Sequence, residues 1–283
     1  MSFRNGTVQS ADGTMVEHRI VGDGGPPVVL VHGGIQAAQS FQRLAEMLSS
    51  RFTVYVPDRR GRRPDVPAGA DYGLAREGED LEALLRAVGA RRVFGLSSGA
   101  IIALYTAIQY GEVDKLALYE PPLTIDGAEP AAWLPKFEAA LTDSGPAAAV
   151  VAVLKGTGDR SPVQRLPTWL LTGVLRIALA VDARTSGPAD ISLRDLIPTM
   201  RLDGIATLQS VELVNPRIEE LRAQVLLLGG EKSAIALHRG LDALMRRLPE
   251  ARRVELKGIG HIAADNRGKP RQVAELLEEF WAD

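Results

Sequence analysis

The apolar positions of this chain fall into two kinds of run. Short uninterrupted ones, Val28-Val-Leu-Val31, Phe52 to Val56, Arg92 to Leu96, Lys115 to Tyr119 and Val225 to Leu228, have the length and β-branched content of strands buried on both faces of a parallel sheet. Between them the apolar residues recur at helical spacing: Phe41 to Leu48, Arg76 to Val88, Ile101 to Tyr110, Leu237 to Leu248 and Arg271 to Trp281. Val8 and Met15 to Val21 flank Ala11-Asp12-Gly13, which predicts a hairpin. A last strand is expected at Arg252 to Leu256. Strand and helix alternate, so the expected fold class is α/β, a doubly wound, mostly parallel sheet.

The alternation stops after Pro121. From there to about Gln209 the pattern predicts Ala- and Leu-rich helices broken by prolines, and no buried strand. Residues 1–122 and 210–283 are therefore expected to form the core and 123–209 a helical cap, or lid, over it. Trp169 to Val181 is the most apolar segment; it is too short to span a bilayer and carries Arg176, so it is expected to be a buried helix.

Composition narrows the chemistry. A net charge of −2, with 46% apolar and 24% charged residues among 283, gives no electrostatic reason to expect nucleic acid or a membrane surface as partner. A small, neutral or apolar molecule is the expected ligand. There is no cysteine, which excludes disulfides, thiolate metal sites and thiol nucleophiles. No strand leads into a GxGxxG turn, so a dinucleotide is not expected, and neither is any other cofactor or metal. The opening MSFRNGTVQSADG lacks the apolar stretch of a secretory signal, from which a cytoplasmic location is expected. The oligomeric state is not legible.

Four polar motifs fall at the carboxyl ends of the expected strands, where open α/β sheets bind ligands: His32-Gly-Gly34, Asp58-Arg-Arg-Gly61, Gly95-Leu-Ser-Ser-Gly99 and Gly258-Ile-Gly-His261. The third is a G-x-S-x-G between strand and helix, a turn that exposes a serine hydroxyl. A serine is a weak nucleophile until a base takes its proton, and imidazole suits that task near neutrality; Ser97 and His261 are the candidates. Ser98 is a weaker nucleophile candidate, because the second x of the motif points into the helix start. His18, His32 and His238 are expected to pack or to brace loops.

In the order and spacing of these motifs the chain resembles the α/β-hydrolase fold family, in its lidded esterase, lactonase and cofactor-free haloperoxidase branch. The resemblance implies an oxyanion hole from the backbone N–H groups of Gly34 and Ser98. It implies a structural role for Asp58 and Arg59. It also implies an acid after the Val225–Leu228 strand, where the chain instead reads Gly230-Glu-Lys-Ser233. Glu120, at the end of the strand after the elbow, is the expected substitute, as in some haloalkane dehalogenases; it could equally cap its strand or pair with an arginine. Ser233 itself, Glu231 and Asp265 remain alternatives. Trp133, Trp169, Leu170 and Ile177 are expected to line the pocket under the cap. The expected function is a serine hydrolase acting on an ester, thioester or lactone through an acyl-enzyme. Lyase, cyclase or perhydrolase chemistry on the same frame, or ligand binding without catalysis, are the alternatives.

Overall fold

A computed structural model describes residues 3–125, 129, 131–156, 166–185, 187 and 189–282. Eight strands form one sheet in the order β1-β2-β4-β3-β5-β6-β7-β8. They are β1 (Arg4–Gln9), β2 (Met15–Val21), β3 (Pro27–Val31), β4 (Thr53–Pro57), β5 (Arg92–Leu96), β6 (Lys115–Tyr119), β7 (Gln224–Gly230) and β8 (Arg252–Leu256). β2 runs antiparallel to β1 and β4, and every other neighbouring pair is parallel. This is the expected doubly wound, mostly parallel α/β sheet.

The continuous apolar runs bury both faces by simple alternation. Val29, Val31, Val93, Leu116, Leu118, Val225 and Leu227 face α2 (Leu74–Val88), α3 (Ser98–Tyr110) and α9 (Ile235–Arg247). Val28, Leu30, Phe94, Leu96, Ala117, Tyr119, Leu226 and Leu228 face α1 (Gln42–Leu48) and α10 (Pro270–Ala282), where Trp281 meets Phe52 edge-on. The first hairpin turns at Ser10–Thr14, with Gly13 in the left-handed region.

Between β6 and β7 the described chain holds α4 (Leu134–Ser144), α5 (Pro146–Gly156), α6 (Thr168–Thr185), α7 (Leu193–Leu196) and α8 (Met200–Leu213). α8 passes the expected boundary at residue 209 and packs Ala206 into the core on the α3 side. A separate apolar cluster forms from Trp133, Phe137, Ala149, Val153 and Ile197, with Ile35 and Met200 packed against it.

One expectation fails here. The segment around Trp169 to Val181 is a helix but not a buried one: Leu171 is the buried residue of α6, while Trp169 is 75% exposed and Val174, Ile177 and Val181 are also exposed. Its apolar positions recur around two sides of the helix, and only the side carrying Leu171 meets a partner. No described helix is long and apolar enough to cross a membrane.

Candidate active site

The elbow is built by the glycines that flank Ser97. A Cβ at Gly95 would lie 2.5 Å from Gly99 O and 2.6 Å from Ala100 Cα, and one at Gly99 would lie 2.4 Å from both Val31 O and His32 O. Only a bare backbone lets β5 turn into α3 this tightly while β3 passes alongside. Ser97 itself is held at φ 56°, ψ −125°, a conformation that costs an ordinary residue on the order of 1–3 kcal/mol. The strain turns its side chain out of the strand-to-helix path, and Ser97 N–H is secured by Tyr119 O at 2.9 Å.

Strand register brings the acid alongside. Leu96 pairs with Tyr119 and Tyr119 with Leu228, so Ser97, Glu120 and Gly229 follow side by side at the carboxyl ends of β5, β6 and β7. Glu120 is also in the left-handed region, at φ 47°, and is fully buried. Its Oε1 accepts Gly230 N–H at 2.6 Å, and its Oε2 lies 2.7 Å from His261 Nδ1. A carboxylate can only accept, so Nδ1 carries a proton, and in the neutral ring Nε2 is then the nitrogen with the lone pair. The loop bearing His261 is pinned by Tyr119 Oη, which donates to Gly260 O at 2.9 Å, and by Lys232 N–H on Ile259 O at 2.8 Å.

The other acid candidates are engaged elsewhere. Glu231 accepts Gly258 N–H at 2.7 Å; Asp265 accepts from Gln36 Nε2 at 2.8 Å. Ser233 Oγ is buried without a hydrogen bond, and His261 is not its partner. Among the described residues neither Ser97 Oγ nor His261 Nε2 makes a hydrogen bond, so serine and histidine are not bonded to each other; Ser97 is half-buried and the His261 side chain is 34% exposed.

The His-Gly-Gly turn lies directly against the elbow: a Cβ at Gly33 would be 3.0 Å from Ser97 Cβ. His32 is fully buried, its Nδ1 3.0 Å from Gly33 O. Burial, reinforced by Arg59 and Arg62, holds this imidazole well below its ordinary pKa, so it braces the turn as a neutral ring. Gly34 follows, and then Ile35 at φ 54°, a rare setting for a β-branched residue. Ser98 opens α3, where the first N–H groups have no partner within the helix and the dipole favours negative charge.

Asp58 and Arg59 hold the fold together. Asp58 Oδ1 accepts Ala38 N–H at 2.7 Å, and Arg59 lies in a buried network with Glu77, Ser98 and Asp203. Arg62 and Asp203 were not foreseen from the sequence. Trp133 is buried edge-on against Phe137, in the cluster that touches Ile35. Trp169, exposed on α6, and Ile177, more than half exposed beside it, do not share that cluster; this departs from the expected lining of an enclosed pocket.

A strained serine at a strand-to-helix elbow and a carboxylate-bound histidine thus lie beyond the carboxyl ends of strands in one mostly parallel sheet. The model of the alpha/beta hydrolase family matches residues 28–276, and the chain belongs to that family. It is similar to an α/β hydrolase from Sphaerobacter thermophilus DSM 20745, with a TM-score of 0.76 and 28% identity over 98% of this chain and 100% of that one. The fold is shared with the enol-lactonase from Burkholderia xenovorans LB400, with a TM-score of 0.69 and 20% identity over 98% of this chain and 100% of that one. Among curated proteins, the uncharacterized hydrolase YraK of Bacillus subtilis (strain 168) is 34% identical over 128 residues, which are 44% of this chain and 46% of YraK. The matched stretch thus spans less than half of that relative.

Proposed function

We propose that the protein is a serine hydrolase that cleaves a carboxylic ester, thioester or lactone of a small, mostly apolar molecule through an acyl-enzyme. The observation that carries this reading is the 2.7 Å contact between His261 Nδ1 and Glu120 Oε2, which fixes the tautomer a general base needs. Ser97 Oγ attacks the substrate carbonyl as His261 Nε2 takes its proton, and Glu120 stabilises the imidazolium. The oxygen anion of the tetrahedral intermediate accepts the N–H groups of Gly34 and Ser98. Collapse expels an alkoxide or thiolate, which takes the proton from His261. Water, deprotonated by the same nitrogen, then releases the acid and restores Ser97.

Residues 123–209 act as the cap in this reading, and the partly buried Ile35 and Met200, beside Gly34 and packed against the Trp133 cluster, are the apolar residues the acyl group would meet. Such a surface favours an uncharged substrate. The enol-lactonase among the structural neighbours makes lactones a natural first panel beside p-nitrophenyl esters. Turnover in oxygen-18 water must place one label in the carboxylic acid product, which a lyase or cyclase would not do. Ser97→Ala should lose at least about 10³ in kcat; unaltered turnover by that variant would sink the reading.

A further inference from the structure

Both proposed oxyanion donors are packed by one turn of a helix from the inserted segment. A Cβ on Gly34 would fall 2.6 Å from Met200 Sδ and 3.2 Å from Asp203 Oδ2, both on α8. On the other side, Ser98 Oγ donates to Asp203 Oδ1 at 2.6 Å. Arg59 Nη1 donates to Asp203 Oδ1 at 2.9 Å, to Ser98 Oγ at 3.1 Å and to His32 O at 3.2 Å, so a single nitrogen spans α8, the elbow and the His-Gly-Gly turn. Arg62 adds a bond to Asp203 Oδ1 at 2.6 Å, and Glu77 anchors the far edge of the Arg59 guanidinium at 2.7 and 3.2 Å.

We infer that Asp203 is a positioning residue, which sets the Ser98 and Gly34 peptides where their N–H groups can meet an oxyanion, so that α8 completes the hole. The inference rests on the hydrolase reading above. The geometry divides the labour within Ser98: its backbone N–H is free for substrate while its hydroxyl is spent on the tether. Asp203 is a competent anchor because it stays ionised. Burial raises its carboxyl, but Arg62 and Arg59 outweigh that and hold it at about 2. Arg59, Arg62, Glu77 and Asp203 also sum to no net charge, so the anchor does not set a net negative field against the anion it helps to bind. Asp203 Oδ2, buried beside Gly34, makes no hydrogen bond.

Ser98→Ala is the cleanest test, because it removes the tether and keeps the N–H that does the chemistry. Asp203→Asn is the second variant. Both are compared with wild type on p-nitrophenyl butyrate and for inhibition by phenylboronic acid, a tetrahedral mimic, with the folded fraction fixed by thermal melts. Direct removal of one oxyanion donor costs about 10²–10³ in kcat, and a misplaced donor should cost less, about tenfold. The expected result is a kcat about tenfold lower with KM within twofold, and boronate affinity weakened by the same factor. The inference is overturned if kcat and boronate affinity stay within twofold in both variants, if KM alone rises, or if Asp203→Asn speeds turnover. A lower melting temperature with unchanged kcat per folded enzyme would also overturn it. If Ser97→Ala retains wild-type turnover, it is the hydrolase reading itself that has failed, and the two failures are thereby separated.

Discussion

Glu120 and His261, 141 residues apart in the chain, meet at 2.7 Å because β6 delivers a buried carboxylate to the edge of the loop that follows β8. Each oxygen of Glu120 has one partner, Gly230 N–H and His261 Nδ1. Glu120→Gln can keep the first bond and, with its NH2 group toward the ring, loses the second or inverts the tautomer. It should lower kcat by about 10²–10⁴ with little change in thermal stability. Ser233→Ala, which touches no partner of the imidazole, should stay within twofold in steady-state kinetics. The reverse ranking would move the orienting role to Ser233.

The elbow glycines should be intolerant for a backbone reason. Gly95→Ala and Gly99→Ala each drive a methyl to within about 2.5 Å of backbone atoms that cannot move without parting β5, β3 and α3. Losses above about 4 kcal/mol, or failure to fold, are expected in urea denaturation. Gly173→Ala is the control: it lies inside α6 with nothing within 4 Å of the new methyl, and should stabilise by about 0.5–1 kcal/mol.

The two tryptophans should part ways. Trp133→Ala empties a buried site against Phe137 and should destabilise by about 3 kcal/mol. Trp169→Ala, at a position 75% exposed, should leave both stability and ester KM within error. A large KM rise for Trp169→Ala would show that α6 turns inward over the site.

His32 makes stability fall with acid. In the unfolded chain its imidazole binds a proton below about pH 6.5, whereas in the fold burial and then Arg59 and Arg62 keep it neutral to far lower pH. The stability it contributes is complete above 6.5 and is lost as pH falls toward the folded value. Unfolding free energy should drop by about 1 kcal/mol between pH 7 and 5.5 on this account. His18, whose pKa burial also lowers, adds to the same slope. Urea titrations of wild type and His32→Gln at the two pH values check it, and equal slopes would remove His32 as the cause.

The sheet was legible because strands buried on both faces read as near-continuous apolar runs: the bounds expected for β5 and β6 match those observed. The elbow was legible because Gly95 and Gly99 are forced where backbones meet, and the histidine loop because Gly258 takes a left-handed turn at φ 69°. α6 was legible as a helix but not as an exposed one, since apolar spacing records a helical face and not whether anything covers it. Asp203 left no signal. It reaches Ser98 across 105 residues and Arg59 across 144, and such long-range pairing has no periodic trace. Ile35 was silent for a related reason: its left-handed backbone is imposed by the turn around it and runs against its own β-branched preference.

The most direct measurement is the intact mass of the protein after incubation with a small fluorophosphonate, followed by peptide mapping. The account predicts one adduct, on Ser97, absent in Ser97→Ala and formed at least about tenfold more slowly in Glu120→Gln. A fully labelled Ser97→Ala, a wild type that takes up no phosphonate, or a Glu120→Gln variant that reacts at the wild-type rate would contradict it.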